Sequence, residues 1–455
     1  MLINSRFVIV DDKEHHLSGI KKSLDFLRLD CHSKLYTDET VAEWEKLPGT
    51  RILFLDQNLT TGATFGANNK VAFTALEDVI QKLICPESGP YGLVLWAEQP
   101  EVDELKEHLF GRLTGEDAKH LPVFFTALRK GDYIDTSNGA VLDPEKLRTD
   151  ILTKVSESPQ LRALLTWEAD VAAAADAVLR SIIDLVPIEH RASDQFGSEL
   201  GKVLFKLSQA GAGKNRATET PRESINRVLV PILSDRIAEH DPDSGDTFDW
   251  KTSLEDPKAP PTVKVQASVN SAIHLSFART ARSAPIEPTE LGAVIEFPFE
   301  ISDAVLKEKW GVTEAQLRDD IFQVSEAEWE DCELRLVQVG ASCDNAQPNP
   351  GPLLYLLAVE WPFASPDGTK TETKKRLHKK RDPKSGMEWE SPVLKFSADK
   401  NAGKVSVFRS LSISVPKPST KGWKVSYRFR EELISELTQE YARYISRPGI
   451  VTLPS

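Results

Sequence analysis

The chain has 455 residues, of which 40% are hydrophobic and 27% charged, and its formal net charge is −13. This length predicts several domains with a sizeable core, and the acidic balance argues against general affinity for nucleic acid or membrane surfaces. Its four cysteines form no CxxC pair, which favours a reducing compartment over a disulfide framework or a zinc ribbon. Because there is neither a signal-peptide profile nor an apolar run of the roughly 18–20 residues that span a bilayer, we expect a cytoplasmic protein without membrane contact.

The first 135 residues alternate short apolar runs with helical patterns. The strand candidates are residues 7–10, 31–36, 51–56, 92–97 and 122–128. The segments between them repeat apolar residues at helical spacing, over residues 15–27, 38–47, 69–84 and 102–113. Strands that alternate with helices in this way predict a doubly wound, parallel α/β sheet.

Charged side chains follow three of these strand candidates. Asp11 and Asp12 come directly after the first run, Asp56 ends the third, and Lys130 follows the fifth. Open α/β sheets place their ligands at the carboxyl ends of the strands. Clustered carboxylates there suit Mg²⁺, and one of them can attack a phosphoryl group to form an aspartyl phosphate. The metal and the lysine would neutralise the charge of the transferring oxygens.

Residues 5–135 therefore resemble the receiver domain of two-component response regulators, an α/β flavodoxin-like fold. The resemblance implies that Asp11 and Asp12 hold Mg²⁺ together with Asp56. It also implies that Asp56 accepts a phosphoryl group from a histidine kinase. The backbone carbonyl of Asn58 would be a further metal ligand, and Lys130 would contact the phosphoryl group.

The sequence departs from the receiver pattern at the end of the fourth strand. Receivers carry a Ser or Thr there, whose hydroxyl moves toward the phosphoryl group, whereas this chain has Trp96. An indole has one N–H donor, and its bulk cannot swing inward without clearing space in a close-packed site. Gly131 also replaces the usual proline after Lys130. We therefore expect phosphorylation to change the structure only locally.

Two histidines, His15 and His16, follow the acidic pair at the start of the first helical pattern. Histidines that open a surface helix are usually solvated. Neither residue is predicted to have a role.

Residues 137–245 are predicted to be mainly helical. The segment 143–186 carries a long apolar stripe with an alanine run at 172–175, which suits either a core helix packed on the receiver or a dimerisation helix. Further helices are predicted at 196–210 and 222–239. The glycine-lysine stretch between them lacks the spacing and hydroxyl of a phosphate loop, so it is predicted to be a surface linker. Turn residues at 240–246 predict a domain boundary.

Residues 246–455 are predicted to form a β-rich α+β domain. The strand candidates are residues 263–269, 292–297, 334–339, 353–359, 393–396 and 405–413, with helices at 313–324 and 430–445 and an ambiguous segment at 423–429. Cys343 is predicted to be a buried thiol in a tight turn, with a catalytic Cys-His pair as the alternative. The basic run at 374–381 lacks interleaved aromatic residues, so a charged surface loop is favoured over nucleic-acid binding.

Two short segments add a second resemblance. The Cys-Asp-x-Ala-Gln stretch at 343–347 and the segment 441–449 resemble stretches in receiver-linked proteins of bacterial defence islands. The sequence thus predicts a phosphoacceptor signalling protein, a regulator or phosphate sink in anti-phage defence. The predicted domain organisation is a receiver-like domain at 1–136, a helical linker or dimerisation region at 137–245 and a β-rich domain of unknown function at 246–455. A histidine kinase is the expected partner, a second copy of the chain is a candidate partner, and no enzymatic activity is expected beyond its own phosphorylation and dephosphorylation. The alternatives are a receiver-gated effector, whose C-terminal domain is catalytic or binds nucleic acid, and a phosphorylation-independent scaffold.

Overall fold

The computed structural model describes residues 6–26, 29–59, 69–239, 250–255, 262–277, 285–324, 326–340, 351–362, 388–396 and 402–446. The chain divides into two compact units, Met1–Asp176 with Ile237–Glu255 and Ala177–Arg236 with Asp256–Ser455. This division is coarser than the three predicted regions, whose limits stay predictions. The 240–246 boundary, the loop with Cys343, the basic run at 374–381 and residues 447–449 lie outside the described residues. Among those described, no helix has the length and apolar character needed to cross a membrane.

The first unit contains a five-stranded, all-parallel sheet with the order β2-β1-β3-β4-β5. Its strands are β1 (Phe7–Asp11), β2 (Cys31–Leu35), β3 (Ile52–Asp56), β4 (Gly92–Ala97) and β5 (Phe124–Arg129). The helices are α1 (Glu14–Phe26), α2 (Asp38–Ala42), α3 (Asn69–Leu83), α4 (Val102–Arg112) and α5 (Pro144–Ser156). The predicted doubly wound α/β fold is confirmed at this level.

The alternation of side chains along each strand supplies both faces of this sheet with apolar residues. Leu53 and Leu55 of β3 pack in one core with apolar residues of α3 and α4. Phe54 of the same strand packs in a second core with residues of α1 and α5. All five residues of β3 are buried, which explains why its sequence reads as a continuous apolar run that ends in an acid.

Four further helices follow: α6 (Pro159–Asp184), α7 (Phe196–Ala212), α8 (Lys214–Glu219) and α9 (Pro221–Ala238). The first part of α6 is tied to the first unit by Glu168, which accepts hydrogen bonds of 2.8 and 2.9 Å from Arg51. The predicted surface linker is wrong, because α7 continues through Ala212 and α8 begins two residues later. Gly211 serves close packing instead, since a Cβ at this position would lie 2.6 Å from Val228 of α9.

The second unit contains an antiparallel sheet with the order β10-β12-β9-β8-β7-β13-β6, in which β11 also pairs with β12. Its strands are β6 (Leu275–Phe277), β7 (Ala293–Glu296), β8 (Glu333–Gln338), β9 (Leu353–Pro362), β10 (Glu388–Glu390), β11 (Leu394–Lys395), β12 (Ala402–Val415) and β13 (Val425–Phe429). Its other helices are α10 (Val263–His274), α11 (Asp303–Trp310), α12 (Glu314–Gln316), α13 (Glu326–Trp329) and α14 (Glu431–Ile445). The predicted β-rich α+β character is confirmed.

The strand predicted at 263–269 is wrong, because these residues begin α10. Its alternating valines suggested a strand, yet Val265 and Val269 are each 52% exposed. The buried side of the helix consists of small residues at i and i+4, Ala267 and Ser271. The Ser271 hydroxyl bonds to the backbone of Lys395 in β11, so a polar contact and close packing replace a large apolar face. The predicted helix at 313–324 is short, with α12 leading into a π-helical turn at Leu317–Ile321.

Candidate functional site

The parallel sheet brings the predicted acidic and basic residues to one edge. Asp11 ends β1 and Asp56 ends the adjacent strand β3, while Lys130 follows β5 at the start of a 3₁₀ turn. All three side chains are buried. Lys130 Nζ lies 2.6 Å from Asp11 Oδ2 and 2.8 Å from Asp56 Oδ2. Residues that are 45 to 119 positions apart in sequence therefore share one buried ionic site.

Asp12 completes a group of three carboxylates. One oxygen from each of Asp11, Asp12 and Asp56 lies within 4.8 Å of the others, which is a spacing that a metal ion can bridge. Asp12 Oδ1 is buried and has no hydrogen-bond partner among the described residues. A buried carboxylate oxygen without a partner is costly, and a bound cation could supply one. Oxygen-rich, anionic surroundings of this kind fit a hard dication such as Mg²⁺.

Asn58 lies two residues beyond Asp56, in the loop that follows β3. Its backbone N–H donates a 3.2 Å hydrogen bond to Asp56 Oδ1, which holds the start of this loop against the carboxylate. Gln57, between them, is fully buried, and its side-chain oxygen accepts a 2.8 Å hydrogen bond from the backbone of Glu101. The main chain after Asp56 is thereby fixed on both sides. The predicted role of the Asn58 carbonyl as a metal ligand stays a prediction.

The surroundings of the three acids shift their pKa values in different directions. Burial raises the pKa of Asp56 to about 6, the charge of Asp11 adds to this, and Lys130 opposes it. Burial and the neighbouring Asp11 likewise raise the pKa of Asp12. Burial also acts to raise the pKa of Asp11, but its hydrogen bond to His16 and the charge of Lys130 outweigh burial and lower it. Asp11 is therefore the most readily ionised of the three, and an added cation would favour the ionised forms of both Asp12 and Asp56.

His16 is a site residue that sequence reasoning missed. Its side chain is 3% exposed rather than solvated, and its Nδ1 lies 3.3 Å from both Asp11 Oδ1 and Lys130 Nζ. Its Nε2 lies 3.0 Å from the backbone oxygen of Thr136, so Nε2 carries a proton and donates it. The periodicity contains the missed signal, because His16 shares one helical stripe with the buried Ile20 and Leu24.

Trp96 lies beside Asp56 in the β3–β4 register and is fully buried. Its ring stacks on Tyr133, with 5.6 Å between centroids, and meets Phe54 edge-on at 6.0 Å. The Tyr133 hydroxyl in turn donates a 2.7 Å hydrogen bond to Asp150 of α5. The indole N–H is buried and has no acceptor in the described part of the chain. The end of β4 is thus filled by an aromatic stack that reaches α5.

The arrangement supports one kind of chemistry. A buried carboxylate with a raised pKa lies next to an ammonium group, and two further carboxylates can hold a cation beside it. Such a site can bring an anionic electrophile, for example a phosphoryl group, to the carboxylate oxygen. No protein-family model matches the sequence, and a search of curated proteins finds no match.

Proposed function

We propose that the first unit is a receiver-type phosphoacceptor of a two-component phosphorelay, in which Asp56 takes a phosphoryl group from a histidine kinase. The observation that carries this proposal is the Lys130 ammonium group held between Asp11 Oδ2 and Asp56 Oδ2. It supports the proposal because the site lies at the carboxyl ends of a parallel sheet with the strand order of flavodoxin-like folds.

The residues of the site have different roles in the proposed phosphoryl transfer. Asp11, Asp12 and Asp56 would hold Mg²⁺, with the Asn58 carbonyl as a further ligand, and the bound ion would neutralise charge on the phosphoryl oxygens. Asp56 attacks the phosphorus of a phosphohistidine, the P–N bond breaks, and its electron pair stays with the departing imidazole. Lys130 then exchanges its contact with Asp56 Oδ2 for a phosphoryl oxygen.

The aromatic stack bears on the output of this site. Because Trp96 fills the end of β4 and is supported by Tyr133, it favours a receiver whose phosphorylation has local consequences. A cytoplasmic phosphate sink or a constitutively docked regulator in anti-phage defence fits this better than a strongly switched effector. A second copy of the chain is proposed as a partner, since α6 leaves Leu164 and Trp167 more than half exposed.

Phosphoryl labelling tests the proposal directly. The full-length protein is incubated with acetyl phosphate and Mg²⁺, or with a cognate kinase, and phosphate incorporation is measured. Wild type should be labelled, Asp56→Ala should not, and Asp78→Ala should behave as wild type because Asp78 is exposed on α3, away from the site. Equal labelling of wild type and Asp56→Ala would refute the assignment of Asp56.

A further inference from the structure

The second unit contains a cavity of about 700 Å³. Small-ligand sites typically measure about 300–1,000 Å³. Four strands that neighbour one another in the sheet contribute to its lining, through Glu296 of β7, Arg335 of β8, Glu360 of β9 and Tyr427 of β13. The cavity is therefore built on the central strands of the sheet, where side-chain positions are fixed by the β-ladder.

A buried ionic network forms part of this lining. Arg335 Nε donates to Glu360 Oε2 at 3.1 Å, and the Tyr427 hydroxyl donates to the same oxygen at 3.1 Å. The other two guanidinium nitrogens bond to the backbone oxygen of Leu334 and to the side chain of Glu333. Every nitrogen of the Arg335 guanidinium is thus engaged by a protein acceptor. Three of its five N–H donors are used in this way, and the carboxylates of Glu333 and Glu360 already balance its charge, which disfavours an anionic ligand beside it.

The Glu296 side chain differs from that of Arg335 in its lack of partners among the described residues. It lies opposite Arg335 in the β7–β8 ladder, but Arg335 is drawn to Glu333 and Glu360 instead. The Glu296 side chain is exposed and makes no hydrogen bond or ion pair within the described part of the chain. The charge that the cavity offers to a ligand is consequently a carboxylate.

Apolar side chains complete the lining next to this carboxylate. Phe297 directly follows Glu296, and Phe396 and Val425 line the same cavity. Aromatic rings attract cations through their faces and also bury apolar groups. A carboxylate beside aromatic and aliphatic walls matches a molecule that carries a positive charge on an apolar body.

We propose that this cavity binds an organic cation, a primary amine or guanidinium attached to an apolar group, with Glu296 as its counter-ion. The apolar group lies against Phe297 and Phe396. This binding function is separate from phosphoryl acceptance, because none of its residues belongs to the first unit. It gives the second unit a ligand class of its own.

A titration of the full-length protein with 2-phenylethylamine, followed by saturation-transfer NMR, tests the proposal. The neutral 2-phenylethanol and the anionic 3-phenylpropionate serve as matched probes of similar size. We expect the amine to bind and added salt to weaken it, whereas the alcohol and the acid should bind about tenfold more weakly or not at all. Glu296→Gln should lower the affinity for the amine about threefold or more, as expected for loss of an ion pair.

The matched control is Glu432→Gln, which changes an exposed carboxylate on α14 of the same unit and should leave binding unchanged. Thermal melts confirm that both variants fold. Absence of amine binding at millimolar concentration would overturn the proposal. Equal binding of the alcohol, or unchanged amine binding by Glu296→Gln, would overturn it as well. Asp56→Ala should bind the amine like wild type, so the outcome is independent of the phosphorelay.

Discussion

Lys130 and Asp56 form a buried ion pair in which Nζ lies 2.8 Å from Oδ2, yet negative charge from other carboxylates remains next to this pair. The same ammonium also neutralises Asp11, and Asp12 adds a third carboxylate within bridging distance. The single positive charge of Lys130 therefore faces three carboxylates. Burial is the main cause of the raised pKa of Asp56, and the charge of Asp11, which Lys130 opposes, adds to it. These effects determine how the protein should respond to mutation, pH and metal.

The first prediction concerns Asp56→Asn in metal-free buffer. Because the folded-state pKa of Asp56 is raised from 3.8 to about 6, the folded state binds more protons than the unfolded state between these values. Stability from this group is present below about pH 4 and is lost as pH rises through about 6. Asp56→Asn should therefore match wild type near pH 4 and be more stable above pH 6, by about 1–3 kcal/mol.

Urea unfolding in EDTA across pH 4–8 measures this difference. Asp78→Asn, on the exposed side of α3, is the control and should follow wild type at every pH. A variant Asp56→Asn that is less stable than wild type above pH 6 would show that the ion pair with Lys130 outweighs burial and the charge of Asp11.

The second prediction concerns Mg²⁺. An ion that binds only the folded protein should raise its melting temperature in proportion to the logarithm of ion concentration, with about 2.7 kcal/mol at 100 times the dissociation constant. Asp12→Asn removes the negative charge of the carboxylate that has the unpartnered oxygen and should abolish most of this gain. Calorimetric melts over a range of MgCl₂ concentrations measure it, with Asp78→Asn as the control. A wild-type melting temperature that is indifferent to Mg²⁺ would contradict the metal site.

The third prediction concerns His16. Replacement by leucine removes the buried donor to the Thr136 carbonyl. It also removes the polar contacts of the imidazole with Lys130 and Asp11. We expect a loss of about 1–3 kcal/mol of unfolding free energy. His16→Gln keeps a donor and should recover part of that loss. His15→Leu is the matched control, because His15 is exposed although it contacts the same carbonyl. Equal losses for the two leucine variants would argue against a special role for His16.

The acidic edge could be predicted because it depends on local signals. Apolar runs that end in acids identify buried strands and their carboxyl ends, and parallel pairing then brings Asp11 and Asp56 together whatever the details of the helices. His16 was missed for the opposite reason. A polar residue in the first turn of a helix is usually exposed, so its residue type did not indicate burial. Only its position, on the same helical stripe as Ile20 and Leu24, indicated that His16 is buried.

The misread helix α10 has a different cause. The segment contains several β-branched valines, which favour a strand, whereas the tertiary structure buries the small residues Ala267 and Ser271 and leaves Val265 and Val269 at the surface. The Thr262 side chain caps this helix by accepting a 3.3 Å hydrogen bond from the backbone of Val265. A capping residue directly before the segment was the available sequence signal. Long-range contacts such as the Ser271 hydrogen bonds to Lys395 have no counterpart in local sequence.

The last prediction concerns the response of the first unit to a phosphoryl mimic. Trp96 is closed in by Phe54 and by Tyr133, and Tyr133 is itself held to α5 through Asp150. An inward swing of the indole would break this stack and open a cavity that costs several kcal/mol, roughly 3–5 for loss of a large aromatic contact. We therefore expect phosphorylation of Asp56 to leave the stack in place.

Hydrogen exchange with and without beryllofluoride and Mg²⁺ measures this response. Protection should change in the loops that follow Asp12, Asp56 and Trp96, while the exchange of β5 and α5 should stay the same. Asp56→Asn, which lacks the carboxylate that beryllofluoride requires, should show no change anywhere. Changes that spread from Asp56 through β4 and β5 into α5 would demonstrate a coupled switch. In that case the stack between Trp96 and Tyr133 would take part in transmitting it, because Tyr133 joins the end of β4 to Asp150 of α5.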